Sequence, residues 1–338
     1  MRVLVVGSKE ADNIGAFFFN ALEALGHQPY FVESDYHKHR SSIFHKVASR
    51  LVGRRPLTYW RTNRELEEAA RKHRPQIILI VKGIWLSPET LARIKTRENC
   101  LVNYATDDPF NPAVSRPDLR TSIPLYDLYV CTKRAIMDDV RRAGCRNVVY
   151  VPFGYEPTLH FPERPVTREE VDRFTSDVVF IGAADRDRIP IMRKLAYTTQ
   201  KFHLHGGFWT RDRQLAPYYR GFAQGRDFRL ALGGAKIAPG LVRRANRDGH
   251  SMRSFEVPAC GAFMLAERTE EHHELFEEDK DAVYFGSDEE LLDKVSYYLS
   301  HDAERQRIAK AGYERVTAGA NTYQDRLKQI LESAKALF

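Results

Sequence analysis

Cysteine is scarce in this sequence, and no apolar run is long. The four cysteines, Cys100, Cys131, Cys145 and Cys260, lie far apart and form neither a Cys-x-x-Cys pair nor a Cys/His cluster. Their scatter argues against a zinc site and a disulfide-stapled fold, and it favours a reducing compartment. No stretch approaches the roughly 20 apolar residues that span a bilayer, and a strand pattern follows the N-terminus at once. We therefore expect a cytoplasmic protein that is neither secreted nor integral to a membrane.

Two common cofactor signatures are also missing. Gly7 and Gly15, which follow the first apolar run, do not complete a Gly-x-Gly-x-x-Gly fingerprint, and this weakens a dehydrogenase interpretation although Glu33 ends the next strand pattern. No Asp-x-Asp metal signature stands in a convincing setting, since the adjacent acids Asp107 and Asp108 directly follow a strand pattern. We therefore expect no metal and no resident cofactor.

The 338 residues are too many for one core of ordinary size, and strand patterns alternate with helical ones in two series. A stretch with several prolines, 157–165, separates the series. Alternation of this kind indicates a parallel sheet covered by helices. The predicted strands lie at 3–7, 29–33, 77–83, 100–104, 128–131 and 148–151, then at 177–182, 202–206 and 262–265. We predict two Rossmann-like, doubly wound α/β domains that face a cleft, the first over 1–156 and the second over 157–318.

The net charge of +7 belongs to the first half of the chain, because residues 1–150 hold 24 lysines and arginines against 16 acids. Within 38–74 there are 11 basic residues and three glutamates. Ile43, Phe44, Val47 and Leu51 share one helical face there, which is typical of a basic amphipathic helix on an anionic membrane or of a core-packing helix with a charged outer face. Both interpretations stay open.

The segment 248–265 is the most informative for chemistry. A turn at Gly249 leads into a predicted helix at 253–260, and the free amides at such a helix start can bind a diphosphate. Arg253 lies in the first turn, where a cation opposes the helix dipole unless an anion is bound. Glu256 follows one turn later, where a carboxylate can accept two ribose hydroxyls. The alternative is an ordinary surface helix with a capping serine.

The run from Ser251 to Leu265 resembles the donor-site signature of CgeB-like glycosyltransferases, relatives of the large retaining GT-B group. Those relatives carry a Glu-x7-Glu pair, whose positions are held here by Asp248, a shorter acid, and Glu256. Residues 284–323 are similar to the closing helices of the family, and 107–109 and 151–155 to features of its first domain. The resemblance implies the GT-B fold, a nucleotide-sugar donor bound by the second domain, an acceptor received by the first, and a last helix, 319–338, that returns to the first domain.

Basic residues follow the predicted strand 177–182. The resemblance nominates Arg186 and Arg188 for the donor pyrophosphate, and preorganised cations would stabilise the charge that the leaving nucleoside diphosphate gains. A solvated charged loop is the alternative. Lys236 follows two glycines that permit close backbone approach, although these glycines also fit an ordinary turn.

We therefore predict a metal-independent glycosyltransferase of the hexosyltransferase type. Its donor is a nucleotide-diphosphate sugar, and its acceptor is either anionic or lipid-linked. The predicted donor-binding residues are Gly182, Arg186, Arg188, Lys236, Gly249, His250, Ser251, Met252, Arg253 and Glu256. The predicted catalytic residues are Asp107, Asp108 and Asp248. We interpret Asp107 and Asp108 as a cleft-facing pair near the acceptor; the alternative is that they only end a strand and cap a turn. If the reaction inverts configuration, one of them is the first general base to test, whereas retention would require no such base.

Two other classes of protein fit part of the sequence. A nucleic-acid-binding protein would account for the pI near 9.1, but no RRM, KH, zinc-finger or clear helix-turn-helix signature supports it, and we expect no nucleic-acid partner. A GT-B scaffold that binds a nucleotide sugar without turnover would account for the shorter acid at Asp248. Location on the inner face of the cell membrane, through 38–74, is the alternative to a purely cytoplasmic enzyme.

Overall fold

The computed structural model describes residues 1–34, 58–114 and 116–337, and the chain divides into two compact units. The first unit comprises Met1–Pro152, Ala245–Arg247 and Tyr323–Phe338. The second comprises Phe153–Arg244 and Asp248–Thr322. The main boundary thus follows Pro152, where the sequence predicted residue 156. Residues 245–247 and 323–338, from the later part of the chain, also belong to the first unit.

The first unit contains a six-stranded parallel sheet with the strand order β2-β1-β3-β4-β5-β6. Its strands are β1 Arg2–Gly7, β2 Gln28–Glu33, β3 Ile77–Val81, β4 Cys100–Ala105, β5 Leu128–Cys131 and β6 Val148–Tyr150. All of β4 and nearly all of β3 are buried. Continuous apolar runs of this kind are expected where helices cover both faces of a parallel sheet.

Six described helices pack on this sheet: α1 Ile14–Ala24, α2 Tyr59–His73, α3 Pro88–Ile94, α4 Pro117–Thr121, α5 Met137–Arg142 and the last helix of the chain, α13 Tyr323–Lys335. Ser87 caps α3 by accepting a hydrogen bond from the Thr90 amide at 2.9 Å. Helix α13 packs against α1, with the ring of buried Tyr323 5.0 Å from that of Phe17. This apolar contact holds the end of the chain in the first unit.

The second unit contains a five-stranded parallel sheet with the order β11-β10-β9-β7-β8. Its strands are β7 Ser176–Ile181, β8 Phe202–His205, β9 Ala235–Gly240, β10 Met264–Glu267 and β11 Val283–Phe285. Central strand β9 was not predicted, because Pro239 cannot donate to a sheet ladder and Gly240 weakens a strand. Strand β11, with three residues, was also missed.

Seven described helices surround this second sheet: α6 Arg168–Phe174, α7 Arg188–Thr198, α8 Arg226–Gly233, α9 Arg253–Ala259, α10 Glu270–Leu275, α11 Asp288–Ser300 and α12 Asp302–Ala318. Trp209, Met192 and Leu265 are completely buried in the core between the sheet and α7, α11 and α12. Two Rossmann-like α/β units are therefore present, as predicted. Within the described residues, no helix has the length and apolar character needed to cross a membrane.

Candidate functional site

The carboxyl edge of the second sheet carries most of the predicted donor residues. The loops after β7, β9, β10 and β11 enclose a cavity of about 290 Å³ there. Arg186 and Arg188 line one side, and Leu241, Val242 and Phe285 supply apolar surface. Ligands of parallel α/β sheets bind at this edge, because the strand ends and the connecting loops converge there.

Arg188 is the most buried cation at this edge, with only 11% of its side chain exposed. Its Nη1 donates to the carbonyl of Ala183 at 3.1 Å, and its Nε lies 3.3 Å from a carboxylate oxygen of Asp185. A Cβ atom at Gly182 would lie 3.0 Å from the Phe180 ring, so the glycine allows this ring to pack closely beside the end of β7. By contrast, Arg186 is exposed on the rim of the cavity.

Three arginines lie close enough to influence one another. Burial lowers the pKa of Arg188, and the positive charges of Arg243 and Arg253 lower it further, whereas the charges of Asp185 and Asp248 raise it. Crowded guanidinium groups repel one another, and an anion bound among them removes that repulsion. Arg188, Arg243 and Arg253 are called the cationic cluster below.

Sequence reasoning missed Arg243. It follows β9, and without that strand nothing in the sequence placed 241–244 beside the loop after β7. The parallel pairing of β7 with β9 brings the two loops to the same edge. The only available signal was the apolar run Ile237-Ala238-Pro239 followed by two arginines.

Arg253 is held in a fixed orientation at the start of α9. Its Nε donates to the carbonyl of Ile181 at 3.1 Å, its Nη1 donates to the carboxylate of Glu256, and its guanidinium lies 4.7 Å from the centre of the Phe228 ring. About a third of the side chain stays exposed. The structure therefore brings Arg253 and Glu256 together as an ion pair directly beside the end of β7.

The carboxylate of Glu256 is almost completely buried, with 2% exposed. Its second oxygen lies 3.7 Å from Nε2 of His160. The Glu156 amide donates to Nδ1 of that histidine at 3.0 Å, and burial lowers the histidine pKa. A neutral His160 with its proton on Nε2 is consistent with both contacts, and it turns an N–H group towards Glu256.

The turn before α9 packs against α10. A Cβ atom on Gly249 would collide with the carboxyl group of Glu271, so this glycine is needed for packing against protein. His250 is completely buried; its Nε2 accepts from the Phe153 amide at 3.1 Å and its Nδ1 lies 2.6 Å from Glu271. Thr269 donates to the carbonyl of Gly249 at 2.5 Å. Gly249 and His250 thus shape the loop, and protein groups occupy both ring nitrogens of His250, which leaves neither for a direct contact with the donor.

The expected row of free amides at the start of α9 is also incomplete. The Asp248 amide donates to the carbonyl of Arg243 at 3.3 Å, and the Ser251 amide donates to Oγ of Ser254 at 3.1 Å. Ser254 in turn lies 2.8 Å from Nε2 of buried His272. Asp248, Ser251 and Met252 are partly exposed. Guanidinium groups, more than backbone amides, therefore define this edge.

Lys236 lies elsewhere in the second unit. It is the second residue of β9, and Ala235 beside it pairs with Ser176 at the start of β7. Its Nζ is 2.8 Å from the carboxylate of Asp177. This is the amino edge of the sheet, opposite the cationic cluster, so the position of Lys236 gives no support to its predicted contact with the donor. Without β9, the sequence did not show which edge of the sheet Lys236 occupies.

Asp107 and Asp108 follow β4 in the first unit and have different environments. One oxygen of Asp107 lies 2.8 Å from Nζ of Lys82 and the other accepts from the Asn246 amide group at 3.4 Å. Lys82 is 43% exposed and Asp107 is 11% exposed. This pair is accessible at the carboxyl edge of the first sheet.

Asp108 is buried, and both of its carboxylate oxygens accept hydrogen bonds from other protein groups. Its Oδ1 accepts from the Phe110 amide at 2.8 Å and its Oδ2 accepts from Nε of Arg247 at 2.6 Å. Arg247 also contacts Asp139 at 2.6 Å, and its hydrogen bonds to both carboxylates raise its pKa. These contacts leave neither oxygen of Asp108 available as a general base. They fit the alternative, in which Asp108 caps a turn after the strand.

The basic segment 38–74 is described only in part. Ile43, Phe44, Val47 and Leu51 lie outside the described residues. In helix α2, the highly exposed Arg61 and Arg64 pair with glutamates one turn later. Across the described ranges, no group of three or more His, Cys, Asp or Glu side chains is arranged to hold a metal ion.

The chain is similar to known proteins in sequence and in fold. The family model "Glycosyl transferase-like" matches residues 186–332. Spore protein CgeB of Bacillus subtilis (strain 168) is 21% identical over 264 residues, which cover 71% of this chain and 77% of CgeB.

Solved structures match over nearly the whole chain. Anabaena HepE in complex with UDP-glucose has a TM-score of 0.69 at 12% identity and covers 99% of this chain and 100% of its own. The UDP-forming α,α-trehalose-phosphate synthase of Burkholderia xenovorans has a TM-score of 0.68 at 13% identity and covers 99% of each chain. Sucrose-phosphate synthase of Thermosynechococcus elongatus has a TM-score of 0.67 at 12% identity and covers 100% of this chain and 99% of its own. These likenesses confirm the predicted GT-B fold.

Proposed function

We propose that this chain, which has the GT-B fold and resembles CgeB, is a glycosyltransferase that moves a sugar from a nucleotide-diphosphate donor bound at the carboxyl edge of the second sheet. The observation that carries the proposal is the cationic cluster. Arg188, Arg243 and Arg253 converge where a pyrophosphate would relieve their mutual repulsion. The adjoining 290 Å³ cavity offers apolar surface beside it.

In the proposed reaction, the cluster stabilises the departing nucleoside diphosphate. Cleavage of the bond between the sugar and the phosphate increases the negative charge on the diphosphate, and fixed cations favour that state most. Arg253 is already oriented by Ile181 and Glu256, so little reorganisation is needed. Glu256 would receive ribose hydroxyls, and Asp248, Ser251 and Met252 would line the approach to the sugar.

We further propose that the reaction needs no metal, because guanidinium groups can supply the charge neutralisation. The expected result is full donor binding and turnover in the presence of EDTA. Activity that disappears with EDTA and returns with Mg²⁺ or Mn²⁺ would contradict this part of the proposal.

Hexosyl transfer from a UDP-sugar is the first reaction to test. HepE of similar fold was crystallised with UDP-glucose, and the Burkholderia relative is a UDP-forming synthase. Thermal unfolding should therefore be measured with UDP-, GDP-, dTDP- and CMP-sugars, since a ligand that binds only the folded chain raises its Tm.

The same measurement tests the site. The rise in Tm on addition of the donor should be lost in Arg253→Ala and in Glu256→Ala and kept in Lys236→Ala. Comparing each variant with and without donor separates lost binding from lost stability. Full retention of the shift in both Arg253→Ala and Glu256→Ala would mean that the donor binds elsewhere.

For the acceptor, we propose an anionic or lipid-linked molecule received by the first unit, with Asp107 as the general base if the reaction inverts configuration. The Lys82–Asp107 pair and the positive charge of residues 1–150 support this assignment. Co-sedimentation with vesicles tests the membrane part, and binding that is independent of anionic lipid would exclude it. Donor hydrolysis without acceptor would separate an enzyme from a scaffold that only binds nucleotide sugars.

A further inference from the structure

A second cavity, of about 650 Å³, lies at the amino edge of the first sheet. Buried Pro75 and Ile94 form part of its wall, and the ends of α2 and α3 and the starts of β1, β3 and β4 surround it. Ligands that take part in the chemistry of parallel α/β proteins bind at the opposite, carboxyl edge. This cavity is therefore separate from the proposed donor and acceptor sites.

Arginines dominate the charge around this cavity. Four line it, Arg2, Arg71, Arg74 and Arg93, together with two acids, Glu67 and Glu98. Arg93 and Glu67 pair at 2.8 Å and neutralise each other. Among the described residues, the guanidiniums of Arg2, Arg71 and Arg74 have no carboxylate within 4.0 Å. The cavity therefore carries excess positive charge.

The backbone at Arg74 gives a second indication. Arg74 follows α2 in the left-handed region, with φ of 44°, where glycine is favoured and other L-residues are strained by about 1 kcal/mol. Its amide closes the helix on Ala70, which glycine would do equally well. The last turn already contains Arg71 and Lys72, so the helix dipole is compensated without it. Arg2 donates from Nε to the Arg74 carbonyl at 3.0 Å, which adds a guanidinium at this point.

We propose that this cavity binds a phosphorylated ligand through Arg2, Arg71 and Arg74. The planar donor fork of a guanidinium matches phosphate oxygens, and such charge-assisted hydrogen bonds are strong. Three unpaired cations suit a ligand with at least two phosphate charges. The volume is within the range of about 300–1,000 Å³ that is usual for small-molecule sites. The phosphate belongs either to a soluble compound or to a lipid headgroup, and the experiment distinguishes these sources.

The test uses calorimetric titration of sodium pyrophosphate into the Arg188→Ala chain, in which the proposed donor site is weakened. Adding Arg71→Gln and Arg74→Gly should lower the affinity at least about tenfold. The double change should leave Tm unchanged or raise it, because glycine relieves the backbone strain at position 74. The matched control is Arg64→Ala, which removes a charge from the same helix outside the cavity and should change affinity by less than about twofold. As a second way to exclude binding at the donor site, pyrophosphate is also titrated into wild-type chain saturated with UDP.

A parallel arm measures co-sedimentation with phosphatidylglycerol vesicles. Pyrophosphate binding that depends on Arg71 and Arg74 identifies a soluble ligand, and vesicle binding alone with the same dependence identifies a headgroup. An equal loss in Arg64→Ala, or no binding in either arm, would overturn the proposal. Failure of nucleotide sugars to bind would refute the proposed function and leave this result unaffected, since the two sites lie in different units.

Discussion

The carboxyl edges of the two sheets carry similar charged residues, but these residues have different roles. After β4 in the first unit, Asp107 and Asp108 are each matched by a cation, Lys82 or Arg247. After β7 and β9 in the second unit, several arginines lie near one another, and the charges of Arg243 and Arg253 lower the pKa of Arg188. Matched ion pairs hold loops in place, whereas a group of like charges favours a ligand of opposite sign. The comparison predicts that equivalent substitutions mainly affect stability at the first edge and mainly affect donor binding at the second.

The largest effect on donor binding is expected for Arg188→Ala. Loss of a buried guanidinium should weaken nucleotide-sugar binding by about 10- to 100-fold, which corresponds to the roughly 1.5–3 kcal/mol of a charged hydrogen bond. The exposed Arg186→Ala is the matched control and should cost at most about fivefold. Calorimetric titration of UDP-sugar measures both. Equal losses in the two variants would show that burial in the cluster gives Arg188 no special role.

The two aspartates should separate activity from stability. Asp107→Asn should lower turnover by about 100-fold or more if it is the general base, with a small change in Tm because its partner Lys82 is half-exposed. Asp108→Asn should lower the free energy of unfolding by about 2 kcal/mol, because asparagine keeps an oxygen for the Phe110 amide but turns an NH2 group towards the Arg247 guanidinium. Kinetics and thermal unfolding are measured on both chains. A stable Asp108→Asn chain with strongly reduced turnover would reverse these assignments.

Acid should destabilise the second unit before the first. Burial lowers the pKa of His203, His205 and His272 to about 4, while an unfolded chain takes up these protons near pH 6.5. Between pH 6.5 and 4 the unfolded state therefore binds more protons. Stability falls as pH falls, by up to about 1.4 kcal/mol per pH unit for each histidine.

The histidines of the first unit differ from those of the second: His27 and His73 also have lowered pKa values, but they are only partly buried. Hydrogen exchange followed by mass spectrometry at pH 5 should show earlier opening in 153–244 than in 1–152. His205→Phe should reduce that difference. Simultaneous loss of protection in both units would argue against the histidines as its cause.

The smallest effect is expected for Lys236→Ala. Its ion pair with Asp177 is half-exposed, so the free energy of unfolding should change by less than about 1 kcal/mol. Donor affinity should not change, because the residue lies at the amino edge of the sheet. A clear loss of donor affinity in Lys236→Ala would contradict the assignment of the donor to the carboxyl edge of the sheet.

Apolar runs and their spacing determined both α/β units, most of the strands and the position of helix α9, because burial on a parallel sheet needs little beyond continuous hydrophobic side chains. Proline and glycine concealed β9, and with it the position of Arg243 and Lys236. Local sequence likewise placed Asp107 and Asp108 together, although only one of them is buried against Arg247. Which charges are neutralised, and which remain to bind an anion, depends on partners more than 50 residues apart, such as Asp108 with Arg247 or Arg188 with Arg243. Only the tertiary structure decides those pairings, since Coulomb energies depend on distance and burial, and neither is encoded in local spacing.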